Sequence, residues 1–210
     1  MSEIIEKLQW RYATKKFDSN KKLSVEQVNT IKEAFNLTAT SYGLQPLKML
    51  VIGDQDIKEA LVSASMNQPQ VKDASHLLVF CIESTISSEY IKAHFNRVEA
   101  TRNTDRKILD DYEDFLIDSF SKKDQSEIRG WMTKQAYLAM GNLLTVCAVE
   151  GIDACPMEGF EPEKYDDLLQ LKDKGLQSVL AMPIGFRAGD DMFAGMKKVR
   201  RGVSEVVIEM

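Results

Sequence analysis

Between Trp131 and Val149 the apolar residues Ala136, Tyr137, Leu138, Ala139, Met140, Leu143, Leu144, Val146, Cys147 and Val149 cover nearly every face of a helix. A helix that is apolar all round belongs in the middle of a core or between subunits, so the rest of the chain has to be arranged around it. Gly151 then supplies a stop, because glycine readily takes the left-handed conformation that closes helices. With 210 residues the chain fits one domain, large enough to bury such a helix without covalent staples.

The flanking segments give the layers. Ile4, Ile5 and Leu8 mark a short opening helix that stops near Arg11. Ser24 to Phe35 reads as an amphipathic helix with Val28, Ile31, Ala34 and Phe35 on one face, and Ser24 with Gln27 has the spacing of a capping box. Lys48 to Ile52 is a strand bounded by Pro46 and Gly53-Asp54, followed by a helix from Ile57 to about Ser65. Leu77 to Ile82 is continuously apolar and suits a strand buried on both faces. Ser87 to Lys123 reads as exposed helix with a loop around Thr101 to Asp105. Ser178 to Phe186 is a second buried strand, which Pro183 places near an edge or a bulge. Val203 to Met210 ends the chain as a strand with Val206, Val207 and Ile208. Together these predict one α+β domain over 1–210, with helices packed on a mixed sheet.

A formal charge of −5 argues against nucleic acid or an anionic membrane as partner. Acids stand early at the N-terminus, and the Leu77–Ile82 run is far shorter than the roughly 20 residues of a membrane span. Cys81, Cys147 and Cys155 show no CxxC spacing, so neither a disulfide framework nor a metal site is expected, and a reducing cytoplasm fits.

Core building explains poorly the polar residues of three segments. Arg11-Tyr12-Ala13-Thr14-Lys15-Lys16-Phe17 is cationic at the end of the first helix, where cations also serve as a solvated cap. Thr38 to Pro46, which contains Thr40, Ser41 and Gly43, offers hydroxyls and a glycine that suit a phosphate or a plain loop. In Gly151 to Phe160, Pro156, Met157, Glu158 and Gly159 turn the backbone sharply and can present N–H groups to a ligand. A fourth feature, Lys197-Lys198-Val199-Arg200-Arg201, is basic without the aromatic interleaving of nucleic-acid binders.

In this order, these segments resemble the nitroreductase family of flavoenzymes, and most closely its oxygen-insensitive nitroreductase and dihydropteridine reductase branch. Lys21 to Ser24 and Asp73-Ala74-Ser75-His76 add to the likeness, which runs from Arg11 to Arg200. The resemblance implies a three-layer α/β/α fold with a mixed, mainly antiparallel sheet, in an intertwined homodimer with FMN at the interface. It implies that Arg11, Lys198 and Arg200 hold the FMN phosphate and that Lys15 stabilises the reduced flavin from its pyrimidine edge. Tyr12 and Ala13 adjoin the cofactor, Asn67 and Gln70 make polar contacts to the same ring edge, and Pro156 to Gly159 pack on the ring. Backbone N–H groups around Glu158 and Gly159 point at N5, and Thr40, Ser41 and Gly43 come from the partner subunit. The C-terminal arm, 203–210, pairs with that partner.

The implied reaction draws electrons from a visiting NADH or NADPH and delivers them to a nitroaromatic, a quinone or a similar small acceptor. The alternatives are a flavin-binding or ligand-sensing protein with little turnover, and a flavin-consuming or dehalogenating relative. Tyr12, Ala13, Gly43 and Gln70 depart from the close branch, which commonly has His, Ser, Asn and Lys there. His76 is expected to be structural.

Overall fold

The structure, a computed structural model, describes residues 2–210. The order is α1 (Glu3–Trp10), α2 (Val25–Asn36), β1 (Leu47–Ile52), α3 (Gln55–Val62), α4 (Gln70–Asp73), β2 (His76–Glu83), α5 (Ser88–Arg102), α6 (Arg106–Ser121), α7 (Gln125–Val149), β3 (Asp153–Ala154), α8 (Pro162–Leu168), β4 (Leu176–Gly185) and α9 (Val203–Val206). The Ser24–Gln27 capping box forms in both directions.

The four strands lie in the order β1-β2-β4-β3, and every named pair is antiparallel. The parallel part of the sheet is a single bridge between Ala13 and Ala154. Alternating residues of β2 and β4 divide the core into two layers. Leu78, Phe80, Ile82, Leu180, Met182 and Ile184 face a cluster built with α2, α5, α6 and α7. Leu77, Val79, Cys81 and Ala181 face a smaller one built with α3, α4 and α8. Each large side chain so buried contributes roughly 1.5–3 kcal/mol relative to exposure.

Three expectations need correction. Pro183 is not at an edge, since β4 lies between β2 and β3. In an antiparallel strand the N–H and C=O of one residue face the same neighbour, and the Pro183 carbonyl accepts from Cys155 N at 3.0 Å. The absent N–H therefore faces the two-residue β3 side and leaves the β2 ladder intact. The bulge lies instead at Val179, the β4 residue left unpaired between Leu180 (opposite Phe80) and Ser178 (opposite Cys81). The chain end is also not a strand throughout, because 203–206 forms a helical turn and extended backbone begins at Val207. The exposed reading of Ser87 to Lys123 holds for most of its charged residues, but Glu113 is buried beside Arg106, and Ile91, Phe95, Leu116 and Phe120 enter the core.

Candidate functional site

The segment after α1 cannot continue as helix, for Arg11 has extended angles (φ −70°, ψ 146°). It runs instead along the end of the sheet. Thr14 N donates to Ala154 O (3.2 Å), Asp18 N to Phe186 O (2.8 Å) and Ala188 N to Lys16 O (2.9 Å). That course sets Arg11 at its start and Lys15 beside Cys155, with Nζ 3.8 Å from Sγ. Beneath it, Asp153 is buried and paired with Arg187, whose Nε donates at 2.8 Å. Arg187 Nη2 lies 2.5 Å from the same oxygen without an aligned N–H, so Nε carries the hydrogen bond. The Arg187 guanidinium also lies over the rings of Trp10 (4.3 Å) and Tyr12 (4.6 Å), a favourable use of a planar cation.

From the other end of the chain comes the basic cluster. Lys198 Nζ donates to the Arg11 carbonyl. Burial and Arg200 lower the Arg11 pKa, and burial, Arg11, Arg200 and Arg187 lower that of Lys198. Among the described residues no carboxylate forms an ion pair with Arg11, Lys198 or Arg200. Like charges held together this way are stabilised by an anion, and guanidinium groups suit phosphate through paired hydrogen bonds.

Next to Lys15 runs the strip from Cys155 to Phe160. Met157 bridges to Ala181 in both directions, 2.8 and 3.1 Å. Among the described residues the N–H groups of Glu158 and Gly159 make no hydrogen bond. Pro156, Met157 and Glu158 form one wall of a 470 Å³ cleft, with Tyr137, Met140, Gly141 and Leu144 of α7 opposite. Tyr137 Oη bonds Glu158 Oε1 at 2.6 Å across it, which raises the phenol's pKa. Burial likewise raises the Cys155 thiol despite Lys15.

Asn67 is exposed with φ 55°, and Gln70 is 4% exposed. Gln70 is joined to the strip by a residue the sequence did not single out. Gln68 Nε2 donates to Gly159 O (2.9 Å) and Gln68 Oε1 accepts from Gln70 (2.8 Å). Asp191 and Tyr137 were equally silent in the sequence, although Gly189-Asp190-Asp191 just before the basic cluster is turn-forming. His76 is structural, with Nδ1 2.9 Å from Ser75 Oγ.

Thr40, Ser41 and Gly43 stand apart from this arrangement. Gln135 accepts from Ser41 N (2.9 Å), Thr40 Oγ1 accepts from Gln45 N (3.1 Å), and Gly43 has φ 70°. Among the described residues no hydrogen bond joins this loop to Arg11, Lys15 or the Pro156–Gly159 strip. Thr40 lines a larger, 690 Å³ pocket with Tyr90 and His94. No group of residues suited to a metal occurs among the described residues, and no helix of the structure is long and apolar enough to cross a membrane.

Fold and site thus define a helix–sheet–helix domain with a cation cluster, a strip whose amide donors are free among the described residues and an apolar cleft, features that fit a flavin mononucleotide. The model of the nitroreductase family matches residues 8–186. The chain is 29% identical over 208 residues to the oxygen-insensitive NAD(P)H nitroreductase of Salmonella typhimurium, covering 95% of this chain and 96% of that protein. It is 30% identical over 215 residues to the major NAD(P)H-flavin oxidoreductase of Aliivibrio fischeri, covering 97% of each. A solved structure from Exiguobacterium sibiricum in complex with FMN matches with a TM-score of 0.84 at 19% identity, covering 100% of this chain and 98% of that one. The chain belongs to the nitroreductase family.

Proposed function

We propose that the chain is an FMN-dependent oxidoreductase that takes electrons from NADH or NADPH and passes them to nitroaromatic, quinone or similar electron-poor acceptors. The observation that carries this reading is the Arg11–Lys198–Arg200 cluster beside the Pro156–Gly159 strip, three cations that have no carboxylate partner among the described residues.

When bound, FMN supplies the two-electron exchange; the chain supplies binding, orientation and charge. Arg11, Lys198 and Arg200 would hold the phosphate. Lys15, whose ammonium among the described residues has only its weak contact with Cys155, would stabilise negative charge at the pyrimidine edge. Asn67 and Gln70 would bond the same edge, with Tyr12 and Ala13 beside it. Pro156 and Met157 would pack on the ring, and the free N–H groups of Glu158 and Gly159 would donate to its N5. Protons would reach the cleft from water, since Tyr137 and Glu158 on its walls are both exposed. The protein works in the cytoplasm as a homodimer, in which the partner's copy of the loop holding Thr40, Ser41 and Gly43 completes the site. Its separation from the other candidates within one chain supports that arrangement.

An anaerobic absorbance spectrum, taken before and after NADPH and then NADH, tests the reading. Flavin bands that bleach and return with a quinone are expected. Bands that persist with both nucleotides would make the chain a flavin-binding or sensing protein, and loss of the flavin itself on aerobic turnover would make it a flavin-consuming one. A colourless chain that FMN cannot reconstitute overturns the reading.

A further inference from the structure

All the cations proposed for the phosphate and the ring edge come from two segments, 11–16 and 197–200, at opposite ends of the sequence. One side chain ties them together. Asp191 is 6% exposed, and its Oδ2 accepts from Tyr12 Oη (2.8 Å), Lys15 N (3.0 Å) and Lys16 N (3.1 Å). Its Oδ1 accepts from Phe193 N (3.1 Å), which starts the turn Met192–Gly195 that leads into Lys198 and Arg200. Its neighbour Asp190 makes only an exposed pair with Lys16.

We propose that the Asp191 carboxylate is the positioning group that locks the two cation-bearing segments into one anion site and aims Lys15. The inference rests on the flavin reading above. The chemistry singles out a carboxylate. Four donors converge on it, three from residues 12–16 on one oxygen and Phe193 N of its own turn on the other, and only a group with two acceptor oxygens and no N–H can serve them all. An amide would turn its NH2 against donors on one side or the other. A buried carboxylate with several donors is also a rigid joint, because leaving any of these groups unpaired is costly.

Charge and position predict opposite signs, which makes the role separable. Asp191 is negative and lies beside an anion site. Were its effect only through space, Asp191→Asn would tighten FMN and raise the potential of the bound flavin, by making the site more positive. A lost clamp lets Lys15 and the 197–200 segment drift, which weakens FMN and lowers the potential.

The test is FMN titration of the apoprotein by fluorescence, with the potential of the bound flavin measured against reference dyes. Asp191→Asn is expected to bind FMN at least about tenfold more weakly at a lower potential, and the shift in potential should vanish in a Lys15→Met background. Unchanged affinity and potential, or tighter binding at a higher potential, overturns the clamp. If Asp191→Asn does not fold, Tyr12→Phe removes one of the four bonds and should move both readouts the same way, by about two- to fivefold in affinity; no movement there overturns it equally. A wild-type chain that takes up no FMN overturns the flavin reading and the clamp with it, whereas a wild type that binds beside an unaffected variant overturns the clamp alone.

Discussion

Lys58 shows how one residue departs from what its chemistry suggests. It is fully buried, with Nζ 2.7 Å from Ala74 O, 3.2 Å from Lys72 O and 3.4 Å from Ser75 O. It thus caps the end of α4, whose first residue is Gln70. Burial and Lys22 push its pKa down to about 8. Below pH 8 the folded and unfolded chains both hold the proton, so this residue gives no pH slope. Between pH 8 and the ordinary value of 10.5 the unfolded chain binds more protons, so stability rises with pH. Burial raises Cys81 and Cys147 to about 12, and these act the other way: an unfolded thiol ionises from about pH 9 while the folded one does not, which favours unfolding. The net curve mixes the two, so the comparison with Lys58→Met isolates the lysine. Urea unfolding from pH 8 to 10.5 should show the wild type gaining about 1–3 kcal/mol relative to that variant. Parallel curves would mean that Lys58 titrates normally.

At the scale of elements, what the sequence disclosed follows the range of the forces involved. The Ser24–Gln27 box, the stop of the first helix near Arg11 and the all-round apolar α7 are decided within a few residues and were legible. The end of β4 depended on contacts from elsewhere: Pro183 reads as an edge signal until β3 is known to be two residues long. The candidate site divides the same way. Arg11, Lys15, Lys198 and Arg200 stand out as cations, whereas Asp191 is silent because its meaning lies in Tyr12, 179 residues away. The helical turn at 203–206 was hidden by β-branched residues that suit a strand equally. Gly185 gives the element-scale prediction. It ends β4, and a Cβ there would meet Ser75 N at 2.9 Å and Phe17 Cδ1 at 3.3 Å. The backbone amide cannot swing aside as a side chain can. Gly185→Ala should therefore cost about 1–3 kcal/mol of stability, read as a lower urea midpoint at unchanged slope. A midpoint equal to the wild type's would show that the β4–α4 junction yields freely.

The whole molecule leaves unburied a set of apolar residues that its own core does not use. Tyr137 and Leu138 on α7 are 47% and 52% exposed, and Ile208 in the tail is 86% exposed. Scattered apolar residues at a surface need no explanation, but a central helix with a bare face next to the candidate cleft does. β1 pairs with β2 alone and ends the sheet, so its other edge is open to an extended segment, and Val207 in the tail has extended angles. A tail that follows the basic cluster directly also governs how firmly Lys198 and Arg200 are held. If the tail grips a second copy, its loss acts on both assembly and cofactor. If the site is built from both subunits as proposed, deleting Val203 to Met210 should shift the protein toward monomer in sedimentation and release FMN, in proportion to each other as concentration is varied. A truncated protein that remains dimeric and yellow would place the subunit contact on α7 alone. One that turns monomeric yet keeps its FMN would show that a single chain suffices to build the site.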